Sequence, residues 1–188
     1  MRFLTEWRRS LRIYWNRTDK TGWAVGAVIA VLVGLFAFLM NAVLAHQDER
    51  RNRQAEVHRQ NLDCLARNVY FEARGEPLAG QYAVAEVTLN RKASRLYPRT
   101  ICEVVYQKNW DPLRNRYVGA FSWTEFDSLD APGGEAWQRA VKVAEDVYYK
   151  RRAPVLRGAL HFHASYIQPD WSKERPRVAR IGRHVFYR

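Results

Sequence analysis

Cysteine is scarce: two among 188 residues, too few for a disulfide-dense mini-protein. No G-x-G-x-x-G or P-loop pattern occurs, and the length leaves no room for a two-domain dinucleotide enzyme. No H-E-x-x-H or cysteine cluster occurs either, so the usual zinc signatures are missing. Acidic residues are outnumbered, 19 against 31 Lys and Arg, for a formal charge of +12. What is there is 47% hydrophobic and 27% charged, which excludes a disordered tail or a fibrous repeat.

Charge is absent altogether from Gly22 to Ala45, where Asn41 is the one strongly polar side chain. As a helix these 24 residues reach about 36 Å, against ~30 Å of hydrocarbon core, so they read as a transmembrane helix in the lipid bilayer. Residues 1–20 carry Arg2, Arg8, Arg9, Arg12, Arg17 and Lys20 against Glu6 and Asp19. Residues 46–60 carry four arginines against three acids. The more basic flank stays inside, which makes residues 1–21 a cytoplasmic segment, 22–45 the span and 46–60 a linker or helical stalk. Residues 61–188 are then exported, placing the protein in the inner membrane as a single pass with a periplasmic domain. A signal peptide cleaved near Val43-Leu44-Ala45 is the alternative, but the apolar run exceeds the usual ~7–15 residues. Both cysteines, Cys64 and Cys102, fall in the exported part, where an oxidising compartment permits a disulfide; two buried thiols are the other reading.

Within that part, Val57, Leu62, Leu65 and Val69 recur at helical spacing up to the breakers Gly75 and Pro77. A second helix is expected from Gly80 to Asn90–Arg91 with Val84 and Val87 in its buried stripe, and a third from Glu135 to Lys150. The stripe of the third is Trp137, Val141, Ala144 and Tyr148, with Glu135–Arg139 and Lys142–Asp146 spaced for pairing. Residues 107–120 read as a long surface loop. GALHFHASY and RVARIGRHVFY alternate and predict short strands or a hairpin. The fold class is α+β, mainly helical with a small C-terminal β-hairpin or sheet.

Glu72 lies among Val69, Tyr70, Phe71 and Ala73. A carboxyl partly desolvated by such neighbours keeps its proton to higher pH, as a general acid must. The plainer reading is a solvated helix residue paired to Arg74 or Arg67. Here the residues resemble a known family. YFEARGEP-x-x-GQ-x-AVAEV-x-LNR, YP-x-TICEVVYQ, AFSWT, ALHFHA-x-Y-x-x-P-x-W and RIGRHVFY are similar, in that order, to the SleB-type cell wall hydrolases, the spore-cortex-lytic enzyme family. The resemblance covers residues 62–188. It implies a lysozyme-like domain that cuts the MurNAc–GlcNAc bond of peptidoglycan glycan strands as a lytic transglycosylase, with Glu72 as catalytic acid. It implies further that Gln81, Phe121, Ser122, His161 and His163 line the glycan cleft, and no metal or cofactor. Glu76 is a further substrate-side candidate, and Glu76 or Glu86 as a second carboxylate would permit plain hydrolysis.

Trp110, Tyr117, Phe121, Trp123 and Trp171 could stack on sugars, although large aromatics are more often core; Trp110 and Tyr117 are the better candidates for exposure, and Trp137 for core. His161 and His163, with His184 or Glu72, could hold zinc for a peptidase or amidase. A wall-binding scaffold without turnover is the remaining alternative. The basic residues are scattered and the domain is exported, so no nucleic-acid partner is expected.

Overall fold

The structure is a computed structural model describing residues 20–126 and 128–188. The expected cytoplasmic segment falls almost wholly outside the described residues. The chain divides into two units between Gln54 and Ala55.

In the first unit runs the start of α1 (Lys20–Ala73). Its apolar stretch has a mean hydropathy of 2.6, is entirely exposed, and is long and apolar enough to cross a membrane.

The second unit begins on the remainder of α1 and continues with α2 (Leu78–Ala93), α3 (Ile101–Val105) and α4 (Gly134–Tyr148). Short 3-10 turns occupy Ser122–Glu125 and Asp170–Lys173. Asn61 on α1 fastens the start of α3, its Oδ1 accepting the Ile101 N–H at 3.0 Å. A capping box between Thr100 and Glu103 satisfies the same helix end. Cys64 and Cys102 are joined, tying α1 to α3 with Cα atoms 5.3 Å apart.

α2 is the centre of the unit. Every residue from Gly80 to Thr88 is buried, not just one stripe. Tyr82 and Ala85 pack with Leu65, Val69, Ile101 and Val143. Ala83, Val84 and Val87 face Leu156, Ala159 and Phe186 instead. The abundance of alanine allows this, because a slim helix can be approached closely from two sides. α4 buries Ala140, Val143, Ala144 and Val147, spaced i, i+3, i+4, i+7. The expected stripe is therefore rotated: Trp137, Val141 and Tyr148 lie half-buried along its margin.

Residues 107–120 are not simply a loop. They form an antiparallel hairpin of β1 (Lys108–Asp111) and β2 (Arg116–Gly119), with Trp110 opposite Tyr117. The turn is shaped by Asp111, whose Oδ1 accepts the N–H groups of Leu113 and Arg114, and by Asn115 at φ 49°. Glu125 ties the hairpin to the next turn by accepting the Gly119 N–H and pairing with Arg116. The turn signals were legible in the sequence; four-residue strands with exposed faces leave too little alternation to read.

β3 (His161–Ala164), β4 (Arg177–Ile181) and β5 (His184–Tyr187) make an antiparallel sheet in the order β3-β5-β4. β5 is paired on both edges and all four of its residues are buried. Gly182 makes the β4–β5 turn at φ 57°, in a region that favours glycine. A Cβ there would lie 2.2 Å from a carboxylate oxygen of Glu76.

Candidate active site

Glu72 sits in the last turn of α1, where the helix packs against the Ser122–Glu125 turn and the end of α2. Its Oε1 is enclosed and has no hydrogen-bond partner. Burial pushes its pKa up to about 7, against the pull of the Arg91 charge, the Trp123 and Ser122 N–H groups and the Ser122 hydroxyl. The carboxyl is therefore neither a solvated helix residue nor one half of a strong ion pair.

Arg91, in the last turn of α2, supplies the fixed positive charge. It is buried, its Nε donates to the Leu160 carbonyl at 2.7 Å, and its guanidinium lies over the rings of Phe121 (4.9 Å) and Tyr97 (5.4 Å). His161 on β3 is held neutral: burial, then the charges of Arg175 and Arg91, push its pKa down to about 4. Its ring is 5.7 Å from that of Trp171.

The residues expected in the cleft separate into two groups. Glu72 and His161 both feel the Arg91 charge, and Ser122 lies against Glu72. Phe121 does not line a cleft, being only 2% exposed and packed under Arg91 and against Phe162. Gln81 is likewise buried, its Nε2 donating to the Glu76 carbonyl at 3.0 Å. Glu76 is spent on structure: its oxygens accept the Arg183 N–H at 2.8 Å and Nε at 2.7 Å, fastening the β4–β5 turn to the start of α2. His163 is buried, with one ring nitrogen at the Tyr187 hydroxyl (3.0 Å) and the other at the Ala164 carbonyl (2.9 Å). These four are buried and engaged within the protein rather than turned to a cleft. Membership of a shared motif does not say whether a side chain faces the cleft or the core.

Arg91 and Tyr97 carried no role on the sequence, although Arg91 ends the LNR block; a lone basic residue closing an apolar helix was the available signal. Of the two readings open for Trp123, sugar platform or core aromatic, the structure favours the second. Its indole stacks on Phe71 at 4.7 Å and donates to Asn68 Oδ1 at 2.9 Å. Phe71 and Trp123 also line a cavity of about 220 Å³ with Arg67, Tyr106 and Pro132. Among the described residues no group of three or more His, Cys, Asp or Glu could hold a metal ion, so the three histidines do not form the suggested zinc site.

A helical unit with an embedded glutamate and small β-sheets is the arrangement on which comparison with known proteins bears. The sequence model of the cell wall hydrolase family matches residues 75–187. The chain belongs to the cell wall hydrolase family. The match starts three residues beyond Glu72 and takes in Glu76, Arg91, Ser122 and the histidines. Among relatives of this cell wall hydrolase is the spore cortex-lytic enzyme of Bacillus subtilis, 33% identical over 126 residues, 67% of this chain and 37% of that protein. Its counterpart in Halalkalibacterium halodurans is 30% identical over 142 residues, 76% of this chain and 39% of that protein. The chain thus spans well under half the length of these relatives. The catalytic domain of Bacillus cereus SleB superposes with a TM-score of 0.54 at 28% identity, covering 69% of this chain and 91% of that one. The catalytic domain of the germination-specific lytic transglycosylase SleB of Bacillus anthracis gives 0.53 at 29%, covering 68% and 93%. The cell wall hydrolase therefore has the SleB catalytic-domain fold.

Proposed function

We propose that this cell wall hydrolase is a membrane-anchored enzyme that cleaves the MurNAc–GlcNAc bond of peptidoglycan, as a lytic transglycosylase with Glu72 as general acid and base. The observation that carries this reading is the enclosed, unpartnered Glu72 oxygen on a carboxyl whose pKa is about 7. Such a group is still substantially protonated near neutral pH and can also work as a carboxylate, as a residue that gives and then takes a proton must.

In the first step Glu72 donates its proton to the glycosidic oxygen as the bond to the MurNAc anomeric carbon breaks. The new carboxylate is stabilised by the Arg91 charge and by the Ser122 and Trp123 donors, which favour the ionised form. Glu72 then accepts the proton of the sugar's 6-hydroxyl as that oxygen bonds to the anomeric carbon. This closes a 1,6-anhydro ring and restores the acid. Plain hydrolysis would ordinarily recruit a second carboxylate. The two weighed for that role are engaged elsewhere, Glu76 by Arg183 and Glu86 by the Val155 and Leu156 N–H groups. That favours the single-acid scheme.

The apolar helix over residues 22–45 and the basic flank before it support an anchor in the cytoplasmic membrane with the catalytic unit outside. Mass spectrometry of muropeptides released from purified wall tests the activity. The wild-type chain should give 1,6-anhydro ends, and Glu72→Gln should lower the rate about 10²–10⁴-fold. Reducing ends would refute the transglycosylase step, and undiminished release by Glu72→Gln would refute the role of Glu72.

A further inference from the structure

We infer that Asn68 is a positioning residue for Glu72, acting through the indole of Trp123 to hold the Ser122–Trp123 backbone against the acid. The inference rests on the proposed role of Glu72 for its catalytic consequence, but not for its geometry.

Asn68 is fully buried, and an amide in an apolar core is costly unless its groups are bonded. Here they are. Oδ1 accepts the Trp123 Nε1–H at 2.9 Å, and Nδ2 donates to Thr88 Oγ1 at 3.0 Å. Thr88 passes the chain on to the Val84 carbonyl at 3.2 Å, anchoring it to α2. Packing alone would be met by an apolar side chain of this size. What the amide adds is an acceptor for an indole N–H, which can only donate.

The arrangement acts as a rigid gauge. Asn68 and Glu72 are four residues apart on α1, one above the other on the same face. Phe71, beside Glu72, meets the face of the same indole at 4.7 Å, and Tyr106 meets its edge at 5.7 Å. One helix thus holds both the acid and two of the contacts that fix the residue covering it. The turn that carries Trp123 is a single four-residue 3-10 turn, too short to hold its own position. The groups that face Glu72 are Arg91 from α2 and the Ser122 and Trp123 donors from that turn, with Tyr97 and His161 behind Arg91.

Burial outweighs these donors in setting the proton affinity of Glu72. Loosening Trp123 admits water, which lowers the midpoint, and draws away the Ser122 and Trp123 donors, which raises it; burial is the larger influence, so the midpoint moves down. The test compares wild type, Asn68→Leu, Trp123→Phe and the double variant as full chains in detergent, measuring kcat, KM and the pH profile. In the same samples the Glu72 carboxyl is titrated by ¹³C NMR, its signal assigned by its loss in Glu72→Gln. Asn68→Leu should lower kcat about tenfold or more, with KM within about twofold. The alkaline limb and the Glu72 midpoint should fall together by about half a pH unit or more. Trp123→Phe, which removes the indole N–H from the other end, should do the same, and the double variant should be no worse than Trp123→Phe. Should Asn68→Leu not fold, Trp123→Phe alone decides. An unmoved Glu72 midpoint, or effects that multiply in the double variant, would overturn the inference. A midpoint that moves as expected in a protein that cuts no wall would instead remove the proposed activity and leave the link standing.

Discussion

Replacing Glu72 by Gln should stabilise the protein, and by an amount that depends on pH. In the unfolded chain the carboxyl titrates near 4.5, whereas in the folded protein burial pushes it up to about 7. Between those values the unfolded state releases a proton that the folded state keeps, so wild-type stability falls as pH rises from about 4.5 and levels off above about 7. At 1.36 kcal/mol per pH unit of difference, the total is about 3 kcal/mol at most. Gln cannot ionise and escapes this loss. Any packing difference between Gln and protonated Glu is independent of pH and cancels when the variant and wild type are compared at two pH values. The stability advantage of Glu72→Gln should therefore grow by about 3 kcal/mol between pH 4 and pH 8, or about 10 °C in Tm for a domain of this size. Thermal melts followed by near-ultraviolet circular dichroism, with the disulfide intact, measure it directly. A difference that stays flat across that range would mean that Glu72 ionises like a surface carboxyl, and the argument for a tuned acid would fail.

Reducing the Cys64–Cys102 bridge, which closes a separation of 38 residues, should cost about 4 kcal/mol, read as a lower Tm with reductant. Gly182→Ala should cost about 2–3 kcal/mol in urea unfolding, since it forces a left-handed backbone on a side chain and drives Cβ into Glu76. Although burial alone would raise it, the Arg183 N–H and guanidinium hold the Glu76 carboxyl below its ordinary range. The stability from that contact should be present above pH 4.5 and fade as pH falls further, less so in Gly182→Ala. Phe121→Ala should lose about 3–5 kcal/mol of stability in urea unfolding, as befits a core residue.

Much of the helical framework was legible because its signals are local. The breakers Gly75 and Pro77 end α1, and Val84 and Val87 report an inner face of α2. Glu72 stood out because a carboxyl among Val69, Tyr70 and Phe71 conflicts with its surroundings. What escaped depends on partners distant in sequence. That α2 is buried on two sides follows from Leu156 and Phe186, some seventy and a hundred residues further along. Whether Glu76 meets a sugar or an arginine is decided by Arg183. The conversion of Trp123 from sugar platform to brace depends on Asn68, 55 residues upstream.

The order of the sheet sets a schedule for assembly. Its middle strand, β5, follows both outer strands along the chain, so β3 and β4 have nothing to hydrogen-bond until residues 184–187 have been made. The staple from Glu76 also waits, since its target Arg183 arrives only then. A ribosome that releases the chain in sequence order therefore withholds the floor beneath α2 until β5 has emerged. Until then the side of α2 that Phe186 covers, with Ala83, Val84 and Val87, stays open.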